Sequence, residues 1–300
     1  MLSTFFSSII DYASAIEESS EVVECLSFLD SCYKQLSAQE RCSIGLYGLT
    51  TLGLDAYQKE VFSVAETALR ILSDNGDSNG RNNYAYMLRR GEASSSVHNP
   101  KLQAVILLRE GIIEKEPFSY VNEALTFCLC FGSDLDWQLA DEIMKHLPKN
   151  NTMNIVGWWS DVAQAGEIEG FLVHFFLLRH DKIDQSSLGS IKSLAVRLKK
   201  SIKGFPEWLA NDYSITTFDD VIECMGDSDF DSILDEFLES MPFSRDSADK
   251  MLRIIYDWDL LPVYLKLLTE YMSLLSQDEV AKLKSDYKEK FSIPLPNETE

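Results

Sequence analysis

The sequence predicts an all-α fold: a helix–turn–helix repeat array of the α-solenoid kind, followed by a C-terminal helical subdomain. Three observations predict it. Amphipathic stretches of 12 to 19 residues follow one another along the 300-residue chain, and many stop at glycine. Gly53, Gly91, Gly132, Gly166 and Gly204, five of 14 glycines, fall 38, 41, 34 and 38 residues apart. That is the length of a two-helix unit that buries its apolar face only against its neighbours. Val, Ile and Thr nowhere alternate between hairpin turns, so no strand is required.

Helices are expected at about 3–17, 20–36, 38–52, 55–74, 80–92, 100–114, 118–131, 134–147, 153–165, 167–181, 185–203, 206–211, 216–225, 229–240, 244–257, 260–275 and 277–290. Ser37–Glu40 and Ser276–Glu279 fit capping boxes, in which Ser and Glu satisfy each other's orphan amides. Asn99 precedes Pro100, a capping residue ahead of a proline at the first helical position. Ser133, ahead of Asp134 and Asp136, places two carboxylates at the positive end of a helix dipole. Residues 80–114, 118–147 and 153–181 then form three successive helix pairs. Tyr84, Met87, Leu88 and Leu102, Val105, Ile106 keep the 3, 4 spacing of buried faces. A globular bundle shares that periodicity.

Charge divides the second half. From Asp181 to Lys203 there are six bases and two acids; from Gly204 to Ser244 there are eleven acids and no base. With a helix stop and a proline at Gly204-Phe205-Pro206, this sets expected boundaries: an array over 1–204, an acidic subdomain over 205–290 and a tail over 291–300.

Overall, 48 acids against 27 bases give a net charge of −21, which opposes nucleic-acid phosphates and anionic lipid and favours a basic protein partner. No Lys or Arg precedes Lys34, unlike a secretory signal, and the longest apolar run, around Phe171 to Leu178, is interrupted by His174. The expected setting is therefore cytoplasmic, without membrane association. The six cysteines show no C-x-x-C pair and read as reduced thiols.

Asn82-Asn83-Tyr84-Ala85-Tyr86-Met87-Leu88-Arg89-Arg90-Gly91 resembles the first helix of a Sel1-like or tetratricopeptide (TPR) repeat, with its Ala, Tyr and terminal Gly. The stretches 107–112 and 118–125 look like further repeat helices, and Ala56-Tyr57-Gln58-Lys59 with Ala68-Leu69 is similar to a second helix. The resemblance covers roughly residues 40–181. It implies a right-handed superhelix whose concave face binds peptides or domains, and it implies no chemistry.

Motifs for chemistry are missing. No histidine sits in H-E-x-x-H or beside a cysteine pair; His174 and His180, about 240° apart on a helix, diverge, as do Cys128 and Cys130 at about 200°. Asp227, Asp229 and Asp231 have the opening spacing of a calcium loop, but Ser232 and Leu238 stand where Gly and Glu are needed. There is no G-x-S-x-G, Walker A or G-x-G-x-x-G. Neither cofactor nor metal is expected, and the chain reads as non-enzymatic.

Aromatic recognition remains. Trp158 and Trp159 are about 100° apart on a helix, so one packs inward while the other faces a groove. Trp137, Tyr86 and Arg90 lie in neighbouring units, and Asn82 and Asn83 are able to bond an extended peptide backbone. Two functions compete. One is an adaptor or scaffold that captures a partner segment through Trp158, Trp159, Trp137, Tyr86 and Arg90. The other is an immunity or antitoxin-type inhibitor whose acidic face, including Asp227, Asp229 and Asp231, neutralises a basic toxin.

Overall fold

The computed structural model describes residues 47–93, 99–149 and 152–224, with Glu21, 24–28, Ser31, Gln35, Asp227, Phe230, 233–234, Phe237, 275–282 and Ser285 beside them. Among these residues there are helices and no strand. In chain order the helices are α1 (Tyr47–Gln58), α2 (Phe62–Asp74), α3 (Ser78–Arg90), α4 (Pro100–Ile113), α5 (Pro117–Thr126), α6 (Asp134–Lys145), α7 (Thr152–Gln164), α8 (Ile168–Arg179), α9 (Ile191–Ser201), α10 (Glu207–Asp212) and α11 (Phe218–Glu223). The helices expected at 3–17, 244–257 and 260–275 and the Ser37–Glu40 capping box lie outside the described residues, as does the 291–300 tail.

Starts follow the capping residues. Asp77 accepts from the Gly80 amide at 2.7 Å, Asn99 from Leu102 at 3.1 Å ahead of Pro100, and Glu116 from Ser119 at 2.6 Å ahead of Pro117. Ser133 and Asp136 close a reciprocal capping box, and so do Ser276 and Glu279. Each pairing satisfies amides that the first turn leaves without intrahelical partners.

Stops are left-handed. At Gly76, Gly91 and Gly166 the chain takes φ of 82°, 74° and 89°, and the following amide reaches back six residues inclusive to close the last turn. Glu60, Lys115 and Asp181 adopt the same conformation without being glycine, at φ of 61°, 61° and 50°. This corrects two expectations. The helix expected over 55–74 is broken at Glu60, where Glu60 N–H bonds Tyr57 O and Val61 N–H bonds Ala56 O. Gly53 is no stop; it lies inside α1, where an added Cβ would sit 3.0 Å from Leu69 of α2. Its role is packing.

Each helix from α1 to α5 packs on the next, as does each from α7 to α9, and α5 also touches α3, α7 and α8. Glycines at the crossings permit this. A Cβ on Gly80 would lie 2.9 Å from Ser73 N in α2, one on Gly111 2.8 Å from Ser119 Cβ in α5, and one on Gly170 2.5 Å from Ala163 N in α7. The apolar core falls into two clusters. The first joins α1 to α4 through residues such as Leu52, Leu69, Ile71, Leu88 and Leu108; the second joins α5 to α10 around Trp137, Trp159, Phe175 and Leu198. Phe205 and Leu209 belong to the second cluster, and Phe205 meets Trp137 and Phe175 edge-on at 5.4 and 6.0 Å. The core therefore continues past the Gly204 helix stop.

Gly170→Ala should lower stability by at least about 2 kcal/mol in denaturant unfolding, because backbone rather than a flexible side chain blocks the new methyl. Gly157→Ala, in α7 with open space around its Cα, should raise it by up to about 1 kcal/mol.

Candidate functional site: a groove across alternate helices

The odd-numbered helices turn one stripe each to a common cavity of about 490 Å³. Thr50, Leu54, Tyr57 and Gln58 come from α1, and Asn79, Asn82, Asn83 and Tyr86 from α3. Phe118 and Asn122 come from α5, and Trp158, Trp159 and Val162 from α7. The spacings of three, four and seven within each set are those of a single helix face. Of α2, only Leu69 reaches the cavity. The volume lies within the range of about 300–1,000 Å³ common for ligand sites.

One wall is built from amides. Asn82 Nδ2 donates to Ser78 O at 2.9 Å and to Glu116 Oε2 at 2.8 Å, tying α3 to the N-terminus of α5. Asn82 Oδ1 accepts from Asn122 Nδ2 at 3.3 Å, a long bond, and Asn122 Oδ1 has no partner although Asn122 is buried. Asn83 Nδ2 bonds Asn79 O at 2.8 Å. Trp159 is buried with its Nε1–H unpaired.

An aromatic corner closes the α1–α3 end. Tyr57 and Tyr86 meet edge-on at 6.1 Å. Tyr57 donates to Glu92 at 2.8 Å, Glu92 accepts from Arg90 Nε at 2.8 Å, and Arg90 Nη1 donates to the Tyr86 hydroxyl at 3.0 Å. Both phenols are pushed upward, chiefly by burial, so neither ionises near neutral pH. Arg89 lies behind Tyr86, its guanidinium 4.9 Å from the ring, and pairs with Glu169 of α8 at 2.9 Å in a buried bridge. No protein-family model, curated protein or solved structure matches the chain.

The groove brings together Trp158, Trp159 and Tyr86, which sequence spacing singled out, with Asn82 and Asn83. Trp158 is 55% exposed and Trp159 1%, the inward and outward pair that adjacent helical positions require. Arg90 adjoins the groove and holds Tyr86 rather than lining the cavity. Trp137 is elsewhere: it is buried in the second core against Phe205, since its face of α6 turns towards α10. Asp227 is also structural, its Oδ2 accepting from Ser190 N–H and Oγ–H at 3.0 Å each ahead of α9. Asp229 and Asp231 lie outside the described residues. Sequence reasoning missed Tyr57, Phe118 and Asn122. Phe118 and Asn122 are four apart on one helix face, as are Trp158 and Val162, so a stripe repeated on alternate helices was the available signal.

Acid–base and metal chemistry have little to work with here. Among the described lining residues the two tyrosines are the only titratable ones. Among the described residues no cluster of three or more His, Cys, Asp or Glu is placed to hold a metal, and no helix is long and apolar enough to cross a membrane. His174 is buried between Ser160 Oγ at 3.1 Å and Ser186 Oγ at 2.7 Å, and burial lowers its pKa, keeping the ring neutral as a polar staple among α7, α8 and the segment before α9.

Trp158→Ala should leave unfolding stability within about 0.5 kcal/mol of the parent, whereas Trp137→Ala should lower it by about 3–5 kcal/mol. A second prediction concerns Glu123 of α5, fully buried beside Arg109, whose carboxyl burial pushes up to about 7 against the pull of that arginine. A carboxyl raised above its unfolded value of about 4.3 contributes stability that is complete below that value and lost as pH rises through about 7. The melting temperature should therefore fall between about pH 5 and 8 by more in the parent than in Glu123→Gln.

Proposed function

We propose that the chain is a non-enzymatic protein-interaction module, an adaptor or scaffold that captures a segment of a partner protein in the groove of α1, α3, α5 and α7. The observation that carries this reading is the 55% exposed Trp158 over a cavity walled by Tyr57, Tyr86, Phe118 and four asparagines. Large aromatics at a groove supply contact area at small entropic cost and dominate binding energy. Consecutive packing with alternate helices on one side supports a helical-repeat array of the Sel1 or tetratricopeptide type. In this reading the acidic 205–290 portion forms a C-terminal subdomain docked on α9, and the protein works in the cytoplasm, away from nucleic acid.

The acidic stretch supports the adaptor over an inhibitor of basic toxins, because four of its six described carboxylates, Asp212, Asp220, Glu223 and Asp227, are engaged within the fold. Lys192 of α9 is bridged by Asp220 and, at 2.6 Å, by Glu223, and Asp227 holds Ser190. The described lining of the groove, in contrast, offers no acid to a basic partner.

The test is affinity capture from source cells with the parent and with Trp158→Ala, each at about 0.1 M and about 1 M salt, where the Debye length falls from about 10 to about 3 Å. A partner retained at high salt and lost with Trp158→Ala is expected. Partners that bind both proteins equally, or that wash off at high salt, would overturn the groove as the capture surface.

A further inference from the structure

We infer that the groove takes an extended peptide segment whose residues inside the cavity are uncharged, and that it reads this segment through the backbone by means of Asn122 and Trp159. This rests on the groove being the partner-binding surface and names what fits it.

Charge is the first argument. None of the fourteen lining residues is ionised at neutral pH: they are aliphatic, aromatic, hydroxyl or amide side chains. A charged ligand group would lose its hydration there without meeting a counter-charge from the lining. The ionised groups nearest the α1–α3 corner, Arg90 and Glu92, are already paired with each other at 2.8 Å.

Unpaired polar groups are the second. Asn122 is 6% exposed with no partner for Oδ1, and Trp159 is 1% exposed with no partner for Nε1–H. One acceptor and one donor thus stand unmet on residues lining one cavity. A peptide backbone supplies their complements, an N–H and a C=O, without net charge. The Asn122 amide is held in its present orientation only by the 3.3 Å bond to Asn82, and a terminal amide torsion is soft, so a small turn presents its carbonyl to a ligand. Asn82 keeps its firm bonds to Ser78 and Glu116 throughout and serves as the anchor.

Span sets the length. Helices α3, α5 and α7 are in successive contact. Two interaxial steps of about 8–10 Å give about 16–20 Å. An extended chain rising about 3.3 Å per residue crosses this in about five or six residues. Trp158 and Phe118 then meet side chains on one face of the segment while the asparagines meet its backbone.

The experiment is panning of a displayed library of random octapeptides against the full chain, with Trp158→Ala for counter-selection. The best peptide is then titrated by calorimetry, unmodified and with each backbone amide N-methylated in turn. Expected are peptides sharing an uncharged run of about five or six residues, with affinity changing less than about three-fold between about 0.1 M and 1 M salt. One N-methylation should weaken binding at least about ten-fold in the parent but only about two-fold in Asn122→Ala. Replacing the Trp159 indole by benzothiophene, an isostere that keeps both rings and removes only the N–H, should weaken binding about three- to ten-fold with unchanged melting. It supplies the same test if Asn122→Ala does not fold. Charged consensus peptides, the absence of any N-methyl position coupled to Asn122, unchanged binding after the benzothiophene replacement at Trp159, or no peptide that Trp158→Ala rejects would each overturn the inference. A salt-resistant partner still lost with Trp158→Ala would leave the adaptor reading standing in those cases.

Discussion

Four consecutive helix pairs pack closely because a side chain is missing at the crossing, and the groove depends on that constraint. Gly53 lies against Leu69, Gly80 against Leu72 and Ser73, Gly111 against Ser119, and Gly170 against the α7 backbone at Trp159 and Ala163. Each crossing joins consecutive helices, and each leaves no room for even one methyl group without movement. Between crossings, left-handed residues at Glu60, Gly76, Gly91, Lys115, Gly166 and Asp181 end one helix and reverse the chain into the next. Helices that reverse at every turn and pack on their predecessors place alternate members side by side. The groove follows from this: α1, α3, α5 and α7 share it, with Leu69 the single contribution from the even-numbered helices.

The groove also crosses the junction between the two apolar clusters. Where α3 and α4 meet α5 and α8, polar pairs accompany the apolar packing of Tyr86 and Ile112: Asn82 with Glu116, Arg109 with Glu123, and Arg89 with Glu169. Such pairs are directional and add less net stability than the apolar area they displace, but removing one partner leaves a costly buried charge. They set the register of one cluster on the other. A segment bound across α3, α5 and α7, as proposed, would touch both clusters and draw on the same junction that aligns them.

Much of the fold was legible because it is local. Helix starts at Asn99, Ser133 and Ser276 depend on side chains within three residues, and apolar spacing marked α3 to α8 correctly to within a few positions. The break at Glu60 was not legible, because a left-handed glutamate carries no residue-type signal; the packing of Leu69 against Gly53 and the folding back of α2 hold it there. The same blindness made Gly53 look like a stop. At the site, helical geometry separated Trp158 from Trp159, but nearness in a neighbouring unit grouped Trp137 with them when its face of α6 turns to Phe205, sixty-eight positions further along the chain. Asn122 escaped notice since its importance lies in an oxygen without a partner, which only three-dimensional contacts reveal.

The most direct measurement is hydrogen–deuterium exchange of the full chain with and without a captured partner. Slowed exchange concentrated in α3, α5 and α7, with α1 contributing at Tyr57, is what a groove across alternate helices predicts. Protection confined to α4 and α6, or to the acidic stretch after Gly204, with the odd-numbered helices unchanged, would contradict it.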